Sequence, residues 1–273
     1  MRWQCPARPP RPRSRSLDRE ALVAAAQAAA DVAGAVIRPF FRSNLTIAHK
    51  ADRTPVTIAD RTAEQAMRAV LSERFPEHGL QGEEFGIDLP EARLRWVLDP
   101  IDGTKAFITG RPQFGTLIAL MEDGVPILGI IDQPVTRERW IGVAGERTRF
   151  LGMFGTPACR PCPSLSDAEL SCTGPHVLGG DSARWEWLAD QVRRVSWGGD
   201  CYAYGLLALG QIDLIAESTM KVWDWAALVP VIEGAGGRIT DWDGQPLHPD
   251  GDGRVLAAGD PILLQAAVSA LAS

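Results

Sequence analysis

The sequence lacks an excess of positive charge, and it lacks long apolar runs. Lys and Arg number 28 against 34 Asp and Glu, which gives a net charge of −6. Proteins that bind nucleic acid or a membrane surface carry a basic face. No run of apolar letters approaches the roughly 20 residues of a membrane span. We therefore expect neither a nucleic-acid partner nor a membrane partner.

Cysteine is also sparse. Five cysteines are scattered over 273 residues, and a chain of this length does not need disulfide bonds, so the sequence predicts a reducing, cytoplasmic location. Cys159 and Cys162 form a CxxC pair, but no second CxxC and no histidine pair follows at zinc spacing. Pro161 and Pro163 favour a surface loop at this place.

Apolar sequence is abundant, since 45% of the residues are hydrophobic, and the chain can bury one large core or two smaller ones. Residues 1–16 are rich in Arg and Pro and predict a disordered extension without the apolar core of a signal peptide. We expect an N-terminal α+β lobe over 17–146 and a C-terminal α/β lobe over 147–273.

Helices dominate the start of the first lobe, and strands follow. An alanine-rich stretch over 17–41 predicts a long helix, and Asp60 is expected to cap a second helix over 61–74. Apolar runs over 113–121 and 126–132 flank a turn and predict a hairpin. The first lobe should therefore contain a largely antiparallel sheet.

In the second lobe, periodic apolar residues predict helices over 181–194, 202–209 and 223–233. A strand is predicted over 212–216. Residues 261–271 predict a terminal amphipathic helix.

The most informative stretch is WVLDPIDGTK at 96–105. Its apolar start predicts the end of a buried strand, and its Pro and Gly force a turn, so Asp99 and Asp102 leave the strand together. Two adjacent carboxylates are costly unless a cation lies between them. Mg²⁺ prefers oxygen ligands such as these carboxylates and the carbonyl of Ile101. The alternative is an Asx turn with a helix cap.

Two other acidic segments have ordinary explanations when taken alone. Glu83 and Glu84 follow a short turn, where acidic side chains are usually solvated. Asp224 lies in the first turn of a predicted helix, where it can cap the free N–H groups.

The order of four motifs changes these interpretations. TIAD, GEE, DPIDGT and WDWAA occupy 57–60, 82–84, 99–104 and 223–227. Together they resemble the inositol monophosphatase family of metal-dependent phosphatases, over nearly the whole chain. The resemblance implies an α/β (α+β) fold, built as the layered αβαβα sandwich of inositol monophosphatase and fructose-1,6-bisphosphatase. It also implies a homodimer that acts on a small phosphate monoester.

The resemblance further implies a metal site with two to three Mg²⁺ ions and inhibition by Li⁺. Glu83, Asp99 and the carbonyl of Ile101 resemble the ligands of one ion. Asp99, Asp102 and Asp224 resemble those of a second, so that Asp99 bridges the two. A third, weaker ion would lie near Glu83.

Catalytic roles follow from the same resemblance. Asp60 and Thr104 match the pair that holds the attacking water, and Lys50 matches a lysine beside the metal-bound waters. The N–H groups of Gly103 and Thr104 resemble a phosphate cradle, consistent with an anion at a helix start. The sequence offers no strong rival nucleophile, because Cys201 has no adjacent His.

The substrate is predicted from the second lobe. Gly198, Gly199, Asp200 and Glu217 fall on positions that contact the alcohol part of the substrate in this family. Two acids suit a cationic amine better than a neutral polyol. The run WGGDCY also resembles the histidinol-phosphate phosphatase branch, so we expect hydrolysis of L-histidinol phosphate in histidine biosynthesis. The alternative for Asp200 is that it caps the helix beginning at Cys201.

Other functions stay open from the sequence. An inositol-1-phosphate phosphatase or a broad-specificity phosphatase of the same family is the main alternative. No second basic cluster is present for a second phosphate, which disfavours bisphosphate substrates. A non-catalytic binding protein is the remote alternative, and the complete set of motif acids argues against it.

Overall fold

The computed structural model describes residues 18–44, 48–49 and 55–272. The predicted extension at 1–16 and Lys50 lie outside the described residues. The α-helices are α1 (Arg19–Ile37), α2 (Ile58–Arg74), α3 (Thr104–Ile108), α4 (Ser182–Ala189), α5 (Asp200–Ala208), α6 (Val222–Trp225), α7 (Leu228–Gly234) and α8 (Pro261–Leu271). The strands are β1 (Ala48–His49), β2 (Pro55–Val56), β3 (Gly79–Gly82), β4 (Gly86–Asp88), β5 (Leu94–Asp102), β6 (Gly115–Glu122), β7 (Val125–Gln133), β8 (Glu138–Val143), β9 (Arg149–Leu151), β10 (Glu169–Cys172), β11 (Arg194–Trp197), β12 (Leu214–Glu217), β13 (Arg238–Thr240) and β14 (Val255–Ala258).

Helices and sheets alternate in five layers. One sheet has the order β4-β3-β5-β6-β7-β8-β9, and the other has the order β11-β10-β12-β14-β13. Helices α1 and α2 cover the outer face of the first sheet, α5, α6 and α7 lie between the sheets, and α4 and α8 cover the second sheet. The predicted αβαβα sandwich is confirmed.

The first sheet is largely antiparallel, as predicted. Its one parallel pair is β3 with β5, and the others are antiparallel. The predicted hairpin turns at Asp123 and Gly124, whose φ values of 49° and 82° fit the mirror-image turn that hairpin twist favours. The sheet continues through β9, beyond residue 146.

Helix α1 begins where Asp18 accepts a hydrogen bond from the N–H of Ala21 at 3.1 Å. Within Arg19–Phe40, an 18-residue window has a mean hydropathy of 1.5 and is long and apolar enough to span a membrane, a property that the search for unbroken apolar runs did not detect. Half of that window is buried in the structure, and alanines such as Ala25 and Ala29 are fully buried in the core with α2.

Helix α2 begins earlier than predicted. Thr57 is its N-cap, and Asp60 lies three residues into the helix, where its side chain accepts from the N–H of Thr57. The prediction that Asp60 is the cap is therefore wrong. The two residues form a capping box instead.

The helix predicted over 223–233 is divided into α6 and α7. Pro230 has no N–H to donate to the carbonyl of Ala226, which disfavours one regular helix through this point. The close approach of α7 to the first sheet depends on Gly129 and Gly142. A Cβ at either position would lie within 2.3 Å of the backbone of Ala227 or Pro230.

Candidate active site

The end of β5 presents the central aspartates, as the sequence predicts. Pairing of β5 with β6 shifts register between Asp99 and Asp102, so the chain bulges there. Asp99 is buried and accepts a hydrogen bond from the N–H of Ile101 at 3.0 Å. The hydroxyl of Thr116 donates to the carbonyl of Pro100 at 2.8 Å and fixes the bulge from the neighbouring strand.

Asp224 joins these aspartates from the middle helical layer. Carboxylate oxygens of Asp99, Asp102 and Asp224 all lie within 4.8 Å of one another. Asp224 also accepts a hydrogen bond from the N–H of Lys221 at 2.6 Å, in the first turn of α6. Lys221 is the N-cap, and Asp224 is the third residue of a capping box, so the alternative that Asp224 is the cap itself is wrong.

Crowding of these acids changes their titration. Burial raises the pKa of Asp99 well above its usual range, and the charges of Glu83, Asp102 and Asp224 raise it further. Burial and Asp224 raise the pKa of Asp102 to about 7. Burial raises the pKa of Asp224 to about 7 against the hydrogen bond from Lys221. One buried and two partly buried acids with so little positive charge among them fit a divalent cation.

Glu83 lies beside the cluster without entering the group of three aspartates. Its N–H donates to the carbonyl of Leu98 at 3.2 Å, which ties the GEE segment to β5. Its charge contributes to the raised pKa of Asp60, of Asp99 and of Asp224. The structure thus brings Glu83 within electrostatic reach of the predicted ligands.

Asp60 and Thr104, the pair predicted to hold the attacking water, each have a hydrogen-bond partner of their own. Thr57 donates to Asp60 Oδ2 with its hydroxyl at 2.6 Å and with its N–H at 2.8 Å. The hydroxyl of Thr104 donates instead to the carbonyl of Ile101 at 3.1 Å. Burial raises the pKa of Asp60, and the bonds from Thr57 oppose that rise. Thr57 was missed, although T-x-x-D is a recognisable capping signal.

Gly103, in the loop after β5, lies close to the side chain of Asp200. Its φ of 87° lies in the left-handed region, and a Cβ there would lie 3.0 Å from Asp200 Oδ2. A side chain at position 103 would therefore crowd Asp200, which comes from the other half of the chain. Glycine at this place allows the loop and the carboxylate of Asp200 to lie together.

A small cavity of about 100 Å³ opens beside the aspartate cluster. Both predicted pocket acids, Asp200 and Glu217, line it together with Asp102 and Asp224. Its remaining lining residues are Thr173, Val177, Cys201, Tyr204, Ser218, Thr219 and Met220. Gly198 and Gly199 do not line this cavity. Their φ values of 89° and 117° instead set the path of the chain into Asp200.

Asp200 does not cap α5. The N-cap is Gly199, and no side chain of that residue contributes. The N–H of Cys201 donates to Asp102 Oδ2 at 2.5 Å, so Asp102 from the first half of the chain supplies this bond. The alternative that Asp200 is a helix cap is therefore wrong.

Asp200 itself lies in a strained and acidic environment. Its φ of 43° is unusual for a residue with a side chain, and such strain concentrates at functional sites. Burial raises its pKa to about 8, with further contributions from Asp102 and Glu217, while Lys105 lowers it. This position favours a cationic partner.

Glu217 is held more tightly than Asp200. Its exposed fraction is 5%. Its Oε1 accepts from the N–H of Thr173 at 2.5 Å, and its Oε2 accepts from the hydroxyl of Tyr204 at 3.0 Å. Burial still raises its pKa. Thr173 and Tyr204 were not predicted as site residues, because nothing in their local sequence marks them.

Comparison with known proteins agrees with the motifs. The model of the inositol monophosphatase family matches residues 18–273. The chain is 48% identical to the bifunctional phosphatase IMPL2, chloroplastic, of Arabidopsis thaliana, across 93% of this chain and 75% of that protein. It is 41% identical to a histidinol-phosphatase of Mycobacterium tuberculosis, across 80% of this chain and 86% of that protein.

A solved structure agrees as well. An inositol monophosphatase from Zymomonas mobilis superimposes with a TM-score of 0.85 and 50% sequence identity. The match covers 95% of this chain and all of that one. The similarity therefore includes both sheets and the site between them.

Proposed function

Because the chain belongs to the inositol monophosphatase family, whose members are metal-dependent phosphatases, we propose that it hydrolyses L-histidinol phosphate to L-histidinol and phosphate in histidine biosynthesis. The observation that carries this proposal is the carboxylate of Asp200, which lines a cavity directly beside the three-aspartate cluster. The proposal includes a cytoplasmic homodimer, in line with the sparse cysteines and the family resemblance.

The residues present fit a site for Mg²⁺. Asp99, Asp102 and Asp224 would hold it, with Glu83 and the carbonyl of Ile101 completing the shell. When bound, divalent cations polarise the phosphoryl oxygens and make a water nucleophilic near neutral pH.

The protein's own groups orient the other reactants. Both hydrogen bonds from Thr57 reach Asp60 Oδ2, and we assign Oδ1 of Asp60 to the attacking water. The N–H groups of Gly103 and Thr104 would bind the phosphate oxygens. The hydroxyl of Thr104 is engaged by the carbonyl of Ile101, which fixes the start of α3.

Recognition of the amine falls mainly on Asp200. Glu217 already accepts from Thr173 and Tyr204, whereas Asp200 carries a pKa raised by burial and by neighbouring acids. A cation beside Asp200 relieves that repulsion, so an ammonium group gains more there than a hydroxyl does. The name of the Mycobacterium tuberculosis relative, a histidinol-phosphatase, supports the same substrate.

An inositol phosphate is the second candidate. The solved structure from Zymomonas mobilis is described as an inositol monophosphatase and is 50% identical to this chain. The acidic lining of the cavity favours the amine over the polyol.

The test compares phosphate release from histidinol phosphate and inositol 1-phosphate at matched concentrations, with Mg²⁺ and after its removal by a chelator. We expect Mg²⁺-dependent release with a strong preference for histidinol phosphate. Equal or faster turnover of inositol 1-phosphate would overturn the substrate. Absence of release from both would overturn the phosphatase itself.

A further inference from the structure

Glu64 is a fully buried acid that the proposed chemistry does not use. Its exposed fraction is 0%. Glu64 Oε2 accepts a hydrogen bond from the N–H of Glu84 at 2.8 Å, and its Oε1 accepts from Arg68 Nε at 2.8 Å. A buried carboxylate is costly unless such partners satisfy it. The GEE segment and Arg68 are therefore the partners that keep Glu64 in place.

The contact also depends on Gly82. A Cβ at position 82 would lie 1.9 Å from Glu64 Oε1 and 2.3 Å from its carboxyl carbon. Glu64 thus fills the space that any side chain at residue 82 would need. The carboxylate touches the backbone on both sides of Glu83, at Gly82 and at Glu84.

Arg68 extends this contact to the rest of the turn. Its guanidinium donates to Glu64, to the carbonyl of Gly86 at 2.5 Å and to Asp88 at 2.8 Å. Its side chain is only 12% exposed. One arginine therefore joins α2 to β4 across the turn that carries Glu83.

Helix α2 also carries Asp60. Asp60, Glu64 and Arg68 are spaced four residues apart and lie on one face of the helix. One face of α2 therefore carries Asp60, which is assigned to the attacking water, together with the two residues that fix the turn carrying Glu83.

We propose that Glu64 and Arg68 are positioning residues that hold Glu83 at the aspartate cluster and thereby set the affinity of the site for Mg²⁺. The inference rests on the proposed role of Glu83 as a metal ligand. Residues that fix metal ligands typically change metal affinity by about 10–100-fold when they are altered. A purely structural role would instead lower thermal stability and leave the affinity for Mg²⁺ unchanged.

The experiment measures Mg²⁺ binding by calorimetry and thermal unfolding on the metal-free protein. The variants are Glu64→Gln and the milder Arg68→Lys, which keeps the charge but loses the planar fork. Arg160→Lys is the matched control. Arg160 also binds a buried acid, since it donates two bonds of 2.6 Å each to Asp213 beside the second sheet.

We expect Glu64→Gln and Arg68→Lys to weaken Mg²⁺ binding by about tenfold or more and Arg160→Lys to leave it unchanged. All three variants should unfold at a lower temperature than the wild type. Unchanged affinity in Arg68→Lys overturns the inference alone, even if Glu64→Gln does not fold. Absence of Mg²⁺ binding by the wild type overturns the metal site and the inference together.

Discussion

The aspartate cluster and the adjoining cavity use acidic side chains in opposite ways. In the cluster, Asp99, Asp102 and Asp224 face one another within 4.8 Å. In the cavity, Glu217 accepts hydrogen bonds from Thr173 and Tyr204, and Asp200 lines the wall with its pKa raised by burial and by neighbouring acids, against the opposing effects of Lys105 and Thr173. A crowded group of acids is stabilised by metal cations that remain bound, whereas a single acid on a cavity wall can pair with a cationic group of the substrate.

Asp102 belongs to both regions. It contributes to the cluster and also accepts the N–H of Cys201 at the start of α5, the helix that carries Asp200. The arrangement therefore couples the position of the substrate acid to the loop of the metal ligands. The comparison predicts that changes in the cluster affect every substrate, and that changes in the cavity affect the amine substrate alone.

The largest effect is expected for Asp99→Asn. This change removes the charge that would bridge two cations, so turnover of histidinol phosphate and inositol 1-phosphate should fall together by several orders of magnitude. The metal-free variant should also unfold at a higher urea concentration than the wild type, because repulsion within the cluster is reduced. Near-normal turnover would contradict the assignment of Asp99 as a ligand shared by two cations.

A smaller effect, confined to one substrate, is expected for Tyr204→Phe. Loss of the hydroxyl leaves Glu217 Oε2 without its donor, and kcat/KM for histidinol phosphate should fall by about tenfold. Turnover of inositol 1-phosphate should change little. Tyr202→Phe is the matched control, since the chain contains two tyrosines and Tyr202 donates to Glu138 instead of a pocket acid.

The cluster should also make the stability of the metal-free protein depend on pH. The pKa of Asp102 and of Asp224 is about 7 in the folded protein, above the value of about 3.9 in an unfolded chain. The folded state then binds more protons, so its stability falls as pH rises through about 7. Thermal unfolding with a chelator should show this fall, and saturating Mg²⁺ should reduce it, because the remaining fall would come from the cavity acid Asp200, whose pKa burial raises to about 8. A flat profile without metal would contradict the crowding of the cluster.

The smallest effect is expected for Thr57→Ala. Loss of the cap should reduce the free energy of unfolding by about 1 kcal/mol, and turnover should fall because Asp60 loses its hydroxyl donor. Asp18→Ala, at the cap of α1, should cost similar stability without an effect on turnover. Equal turnover in the two variants would show that Thr57 does not affect the reaction through Asp60.

The sequence predicts best what lies within continuous motifs. Asp99 and Asp102 could be predicted to lie together because adjacent residues in the sequence indicate both the end of a strand and a turn. Glu64, Thr173 and Tyr204 could not be placed, since their roles depend on contacts with segments far along the chain.

The same limit applies to secondary structure. The helix predicted over 181–194 ends at Ala189, and Arg194–Trp197 pairs instead with β10 as a parallel strand. Local periodicity did not reveal that pairing, because the partner strand lies more than twenty residues earlier. The terminal helix Pro261–Leu271 has the predicted bounds, and its start is marked locally by Asp260 and by Pro at the first position.

The most direct test of the division between the two regions is the substrate preference of Asp200→Asn. Asparagine keeps the shape of the side chain and removes its charge. We expect kcat/KM for histidinol phosphate to fall by about 100-fold, with turnover of inositol 1-phosphate nearly unchanged. Equal losses for both substrates would contradict the account, because Asp200 would then serve the chemistry at the cluster and not recognition of the amine.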